Sequence, residues 1–169
     1  MNQSRAVAVI GAGLMGHALA LVHAIGGCKI KIQDISKRQL EIGMELIANA
    51  LDTMIAAGSL ENQNRSTIIN RINPVEKLKD AVSEAELIVE AVAENVDVKH
   101  KVFREIDDAA PLNSIIASNT SGLDIFPLVP DRRLKNCIIA HWYTPPYIID
   151  LVDLVAGSET DLKILKTME

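Results

Sequence analysis

Two stretches of this 169-residue chain combine residue types and spacing that can do chemistry. The first, Gly11-Ala12-Gly13-Leu14-Met15-Gly16, is a G-x-G-x-x-G. Its first glycine permits a tight turn, its second lets the backbone approach a pyrophosphate, and its third lets a helix pack closely on a strand. Phosphates held there meet the free N–H groups and the positive dipole end of the following helix. Asp34 stands 23 positions beyond Gly11. A carboxylate at that distance accepts hydrogen bonds from an adenosine ribose and repels a 2′-phosphate, which favours NAD over NADP. Lys37 and Arg38 follow closely, and Asp34 also suits a turn or a helix cap.

The second stretch holds His141, at the end of an apolar run, and Asp153, twelve residues later. A hairpin turning near Pro146-Tyr147 sets the two side by side, where a carboxylate fixes the imidazole tautomer and stabilises the imidazolium. Such a pair can take the proton of a substrate hydroxyl while hydride leaves the same carbon. On spacing alone, a structural hydrogen-bonding histidine fits as well. Glu94 and Lys99 fall near the expected position of a nicotinamide ribose, and equally suit a solvated helix start. The polar segment Ser118-Asn119-Thr120-Ser121 lies at another strand end. His17, His23 and His100 carry weaker signals, and no zinc spacing occurs.

These residues need a scaffold, and the apolar pattern supplies one. Strand-like runs fall at Ala6–Ile10, Lys29–Gln33, Ile72–Val75, 87–92, 114–118, 137–143 and 151–155. Helical spacing covers 14–25, ending at Gly26-Gly27, and a long segment opened by the capping-box pattern Ser36-x-x-Gln39. It recurs at 65–71, at 96–110 before Pro111, and from Ser158 or Thr160 onward. Alternating strands and helices predict an α/β, Rossmann-like, doubly wound, mostly parallel sheet in one domain over 1–169. The last two strands leave no room for a crossover helix and predict an antiparallel edge. The chain stops inside its final helix, so a natural protein is expected to continue.

Composition narrows the function classes. The chain is 49% hydrophobic with a net charge of −5, which excludes disorder and offers no footprint for nucleic acid. No apolar run reaches the roughly 18 residues of a membrane span, and no signal peptide precedes the first strand. Cys28 and Cys137 form no disulfide framework, so a reducing cytoplasm is the expected compartment.

The segments AVAVIGAGLMG, IQD, IVEAVAENVDVKHKVFREID, SIIASNTSGLDI and AHWYTPPYIIDLVDLV together resemble the N-terminal NAD-binding domain of the L-3-hydroxyacyl-CoA dehydrogenase family. The resemblance implies oxidation of a C3 alcohol with NAD, in fatty acid metabolism. It also implies a helical C-terminal domain that completes the substrate site and the homodimer. It assigns NAD contacts to the glycine loop, Asp34, Glu94, Lys99 and Asn119, and a substrate contact to Ser121. His141 takes the place of the catalytic histidine. Asp153 stands where the family has a glutamate, and Thr144 where it commonly has Asn. The HWY-x-PP form looks more like the branch acting on 3-hydroxybutyryl-CoA, carnitine and small 3-hydroxy acids. A structural lens-type relative, or an NAD-binding module without chemistry, is the alternative.

Overall fold

A computed structural model describes residues 5–168 of the chain. Its elements run β1 (Ala6–Ile10), α1 (Gly16–Ile25), β2 (Lys29–Gln33), α2 (Lys37–Ala56), α3 (Arg65–Ile69), β3 (Ile72–Val75) and α4 (Leu78–Val82). They continue with β4 (Leu87–Glu90), α5 (Val96–Ala109), β5 (Ile115–Ser118), β6 (Cys137–Trp142), β7 (Val152–Ala156) and α6 (Leu162–Met168). The strands form one sheet in the order β3-β2-β1-β4-β5-β6-β7. All neighbours are parallel except the β6–β7 edge. The strand order reverses direction at β1, and the neighbouring ends of β1 and β4 form the crevice where open α/β sheets take ligands.

Strand residues alternate between two cores because successive side chains point to opposite faces. Val7 and Val9 pack with α1 and α2, whereas Ala8 and Ile10 pack with α4 and α5. Both cores are closed by fully buried side chains, Leu19 and Ile47 on one face and Phe103 and Ile106 on the other. Burying each such side chain contributes roughly 1.5–3 kcal/mol.

Three details depart from the sequence expectations. The first helix begins at Gly16, since residues 11–15 are spent on the loop. Helix α4 is a short extra turn that buries Ala81 and Val82. The expected strand over Ile72–Val75 does form as β3, because it is the sheet edge, where the N–H missing at Pro74 costs least. The last helix is capped by Asp161, whose carboxylate accepts the Lys163 N–H at 2.9 Å. Thr160 instead donates its hydroxyl to the Cys137 carbonyl and accepts from Gly157 N–H. Arg133 is wholly buried and donates to the Ala110 and Pro111 carbonyls beyond the end of α5. None of the described helices is long and apolar enough to cross a membrane.

Candidate active site

The loop after β1 is shaped by what a side chain would strike. Gly11 has φ +96°, and a Cβ there would lie 2.6 Å from the Ala91 carbonyl oxygen. A Cβ on Gly16 would lie 1.7 Å from the Gly11 carbonyl oxygen, so only glycine lets α1 start this close to β1. Above Gly13 nothing stands within 4 Å of a built Cβ. That pattern, closed below and open above, fits a pyrophosphate approaching the backbone at the head of a ten-residue helix.

Asp34, at the end of β2, reaches this loop. One carboxylate oxygen accepts the Ala12 N–H at 3.0 Å and the other accepts the Ser36 N–H at 2.9 Å. Ser36 caps α2 through the Gln39 N–H, as its sequence pattern predicts. The Gln39 side chain does not complete the box but donates to the Ala12 carbonyl at 3.0 Å. His17 adds a second brace, its Nδ1 2.9 Å from the Gly13 carbonyl oxygen. The cofactor loop is therefore tied down on both sides by side chains that the glycine pattern does not reveal.

A buried polar knot lies beside the loop, where β4 and β5 end. Glu90 is 0% and Lys99 1% exposed, and the ammonium bridges both Glu90 oxygens at 2.8 and 2.9 Å. The Ser118 hydroxyl donates to the same carboxylate. Lys99 also lies 3.2 Å from Glu94, which accepts hydrogen bonds from the Thr120 hydroxyl and from the Ser121 and Gly122 N–H groups. Desolvation pushes the Glu94 carboxyl upward, but the Thr120 hydroxyl, the Lys99 ammonium and the Ser121 N–H together hold it down at about 2. Glu94 faces the cleft. Lys99, expected on the cofactor itself, lies behind it, because Glu90 draws the ammonium inward.

At the far end, β6 and β7 pair with His141 directly opposite Asp153. The hairpin inferred from their spacing thus brings the two together. His141 Nδ1 and Asp153 Oδ2 are 4.0 Å apart, with side chains 27% and 54% exposed. Tyr143, which the sequence left unassigned, donates its hydroxyl to Asp153 Oδ2 at 2.8 Å. Asn119 also ties the scaffold: its side-chain oxygen accepts the Trp142 N–H at 3.0 Å, joining the ends of β5 and β6 at the cleft wall.

One cleft of about 1030 Å³ connects these parts, lined by Gly13, Asp34, Glu94, Ser121 and His141 among others. Its volume is at the top of the range for small-molecule and cofactor sites. The buried Cys137, with its thiol pushed up to about 12 chiefly by burial, lies in the core and takes no part.

Comparison with known proteins gives the chain's family and fold. The family described as 3-hydroxyacyl-CoA dehydrogenase, NAD binding domain, matches residues 6–169. Rabbit (Oryctolagus cuniculus) lambda-crystallin is 33% identical over 156 residues, 91% of this chain and 49% of that protein. The fatty acid oxidation complex subunit alpha of a Psychrobacter species is 32% identical over 161 residues, 95% of this chain and 22% of that protein. The crystal structure of (S)-3-hydroxybutyryl-CoA dehydrogenase from Ralstonia eutropha superposes with a TM-score of 0.92 at 29% identity, covering 99% of this chain and 59% of that one. The chain spans about half the length of the lambda-crystallin it matches.

Proposed function

The chain belongs to the 3-hydroxyacyl-CoA dehydrogenase NAD-binding domain family, and from that membership and the cleft's geometry we propose that it is the cofactor half of an NAD-dependent dehydrogenase. The reading has it act with a helical second domain, in a homodimeric enzyme, on the C3 hydroxyl of a 3-hydroxyacyl-CoA or a small 3-hydroxy acid. The observation that carries it is that His141, backed across the strands by Asp153, lines the same cleft as the glycine loop.

The loop backbone from Gly11 to Gly16 holds the pyrophosphate, and Asp34 the adenosine ribose. Glu94 and Asn119 border the nicotinamide end, with Lys99 acting through Glu94. NAD, when bound, supplies the hydride acceptor. His141 takes the hydroxyl proton at the ring nitrogen that does not face Asp153, so it works as the neutral imidazole. Asp153 stabilises the imidazolium that results, and Ser121 orients the substrate hydroxyl. A positioned general base contributes roughly 10²–10⁴-fold to the rate.

The test is His141→Gln in the protein that carries this chain with such a second domain, with NADH formation from (S)-3-hydroxybutyryl-CoA as the readout. A loss of about 10²-fold or more in kcat supports the reading. Unchanged turnover would replace it with the NAD-binding or structural module without chemistry. For the cofactor half alone, calorimetry should find NADH bound far better than NADPH. Asp34→Ala should weaken NADH about tenfold, the equivalent of ~1.4 kcal/mol. Equal binding of the two nucleotides before and after substitution would remove Asp34 from the site.

A further inference from the structure

We propose that Tyr143 is a positioning residue for the His141–Asp153 pair, holding the carboxylate through its hydroxyl and the imidazole through its ring. The inference rests on the reading of His141 as the general base.

The geometry is that of a single side chain touching both partners. The Tyr143 hydroxyl donates to Asp153 Oδ2 at 2.8 Å, and that same oxygen is the one 4.0 Å from His141 Nδ1. The tyrosine and imidazole rings meet with centroids 4.9 Å apart at an interplanar angle of 55°. The backbone explains the placement. The Tyr143 N–H donates to the Leu151 carbonyl at 3.4 Å and so extends the β6–β7 ladder by one step. Residues 141 and 143 then share one face. Trp142 between them turns to the other face, edge-on to His23.

An aspartate on an exposed edge strand needs such a holder. It is a methylene shorter than glutamate, and at this register it stops outside hydrogen-bond range of the imidazole. Left alone, a half-exposed carboxylate has rotamers that turn it into water. The phenol removes that freedom and stays protonated throughout the imidazole's titration. Its pKa is raised, first by donating to Asp153 and then by that residue's charge.

Other groups facing His141 do not substitute for Asp153. Glu94, from the β4–α5 loop, is already engaged by Lys99 and the Thr120 hydroxyl, and Asn119, Ser121 and Thr144 are neutral. His23 reaches the opposite face from α1.

The test is an NMR titration of the imidazole C–H signals of this chain, with His141 assigned by His141→Gln. Asp153→Asn should move the midpoint of the His141 signals to lower pH, because it removes the carboxylate nearest the imidazole. Tyr143→Phe should lower it in the same direction, and should have no further effect when Asp153→Asn is already present. Adding Asp153→Glu to Tyr143→Phe should restore it, because a longer carboxylate reaches the ring unaided. A Tyr143→Phe titration that is unchanged or raised overturns the proposal, as does an equal drop in the Asp153→Asn background. Backbone spectra of each variant identify any that loses its fold, and Tyr143→Leu then replaces Tyr143→Phe for the single-variant comparison alone, since it also removes the ring contact. None of these readouts needs turnover. Loss of the general-base reading through His141→Gln kinetics is therefore distinguishable from loss of the Tyr143 coupling.

Discussion

At the centre of the sheet Glu90 and Lys99 meet at 2.8 Å with almost no exposure, whereas at its edge His141 and Asp153 stand 4.0 Å apart with half of the carboxylate in water. Both set a basic side chain against a carboxylate near the ends of strands beside one cleft. The difference lies in what surrounds them. Glu90 and Lys99 are fully buried, both Glu90 oxygens have partners in the Lys99 ammonium and the Ser118 hydroxyl, and Glu94 stands 3.2 Å from the same ammonium. His141 and Asp153 lie on the last pair of strands, with open cleft on one side and a tyrosine as their common neighbour. A buried pair of this kind organises structure, while a loosely held exposed pair leaves a nitrogen free to exchange a proton. The molecule thus keeps rigidity at the cofactor end and availability at the end proposed for chemistry.

The largest expected effect breaks the inner pair. Lys99→Met leaves Glu90 buried without its cation, a change that typically costs 3–5 kcal/mol. Urea unfolding of the chain should show a drop of about that size. Replacing both partners, Glu90→Leu with Lys99→Met, should recover much of it, because no buried charge is left behind. A single-variant loss below about 1 kcal/mol, the range of exposed pairs, would mean that Glu90 relaxes to water and that the contrast between the two pairs is false.

A smaller effect sharpens the boundary between the two regions. Glu94 stands at it, touching Lys99 on the inner side and the cleft on the outer. Its carboxyl binds a proton only near pH 2 in the folded chain, against an ordinary value of 4.5. Its contribution is thus fully present above pH 4.5 and is lost as pH falls from there towards 2. Thr120→Val removes the strongest hydroxyl donor to it. The acid limb of a stability–pH curve for that variant should be shallower in total, starting its fall at the same pH near 4.5 but levelling off at a higher pH than in the unaltered chain. An acid limb identical to that of the unaltered chain would show that Glu94 does not carry the acid sensitivity.

Much of this arrangement was legible from residue types. The alternation of apolar runs foretold the doubly wound sheet, and the twelve-residue spacing across Pro145-Pro146 foretold the register that sets His141 opposite Asp153. Helix α4 was not legible, because five residues are too few to display a helical period. The inward turn of Lys99 had a signal that went unused. Lys99, Phe103 and Ile106 fall at i, i+4 and i+7, one face of α5, and all three are buried. A lysine in that register belongs to the core side, and the neighbouring His100, Lys101 and Arg104 disguise it as part of a solvated face. Tyr143 was readable in the same way, two residues from His141 and so on its face. The braces on the glycine loop had no local signal, since Gln39 reaches Ala12 across 27 positions of sequence.

The smallest expected effect tests the outer pair. Asp153→Asn and His141→Gln each remove one partner of a contact that is partly exposed and too long for a hydrogen bond. Exposed pairs contribute about 0–1 kcal/mol, and substitutions at such positions usually stay within about 0.5 kcal/mol. Neither side chain is enclosed, and neither plugs a core. Both variants should therefore unfold at the same urea concentration as the unaltered chain within that margin, while the same changes alter the His141 titration or remove it. Near-zero cost is informative here because it is the opposite of what Lys99→Met should give at the same cleft. If either outer substitution costs 2 kcal/mol or more, on the order of a buried unsatisfied group, then β6 and β7 are held together through this pair. Its role would then be structural, and the proton-transfer reading would have to move to another residue of the cleft.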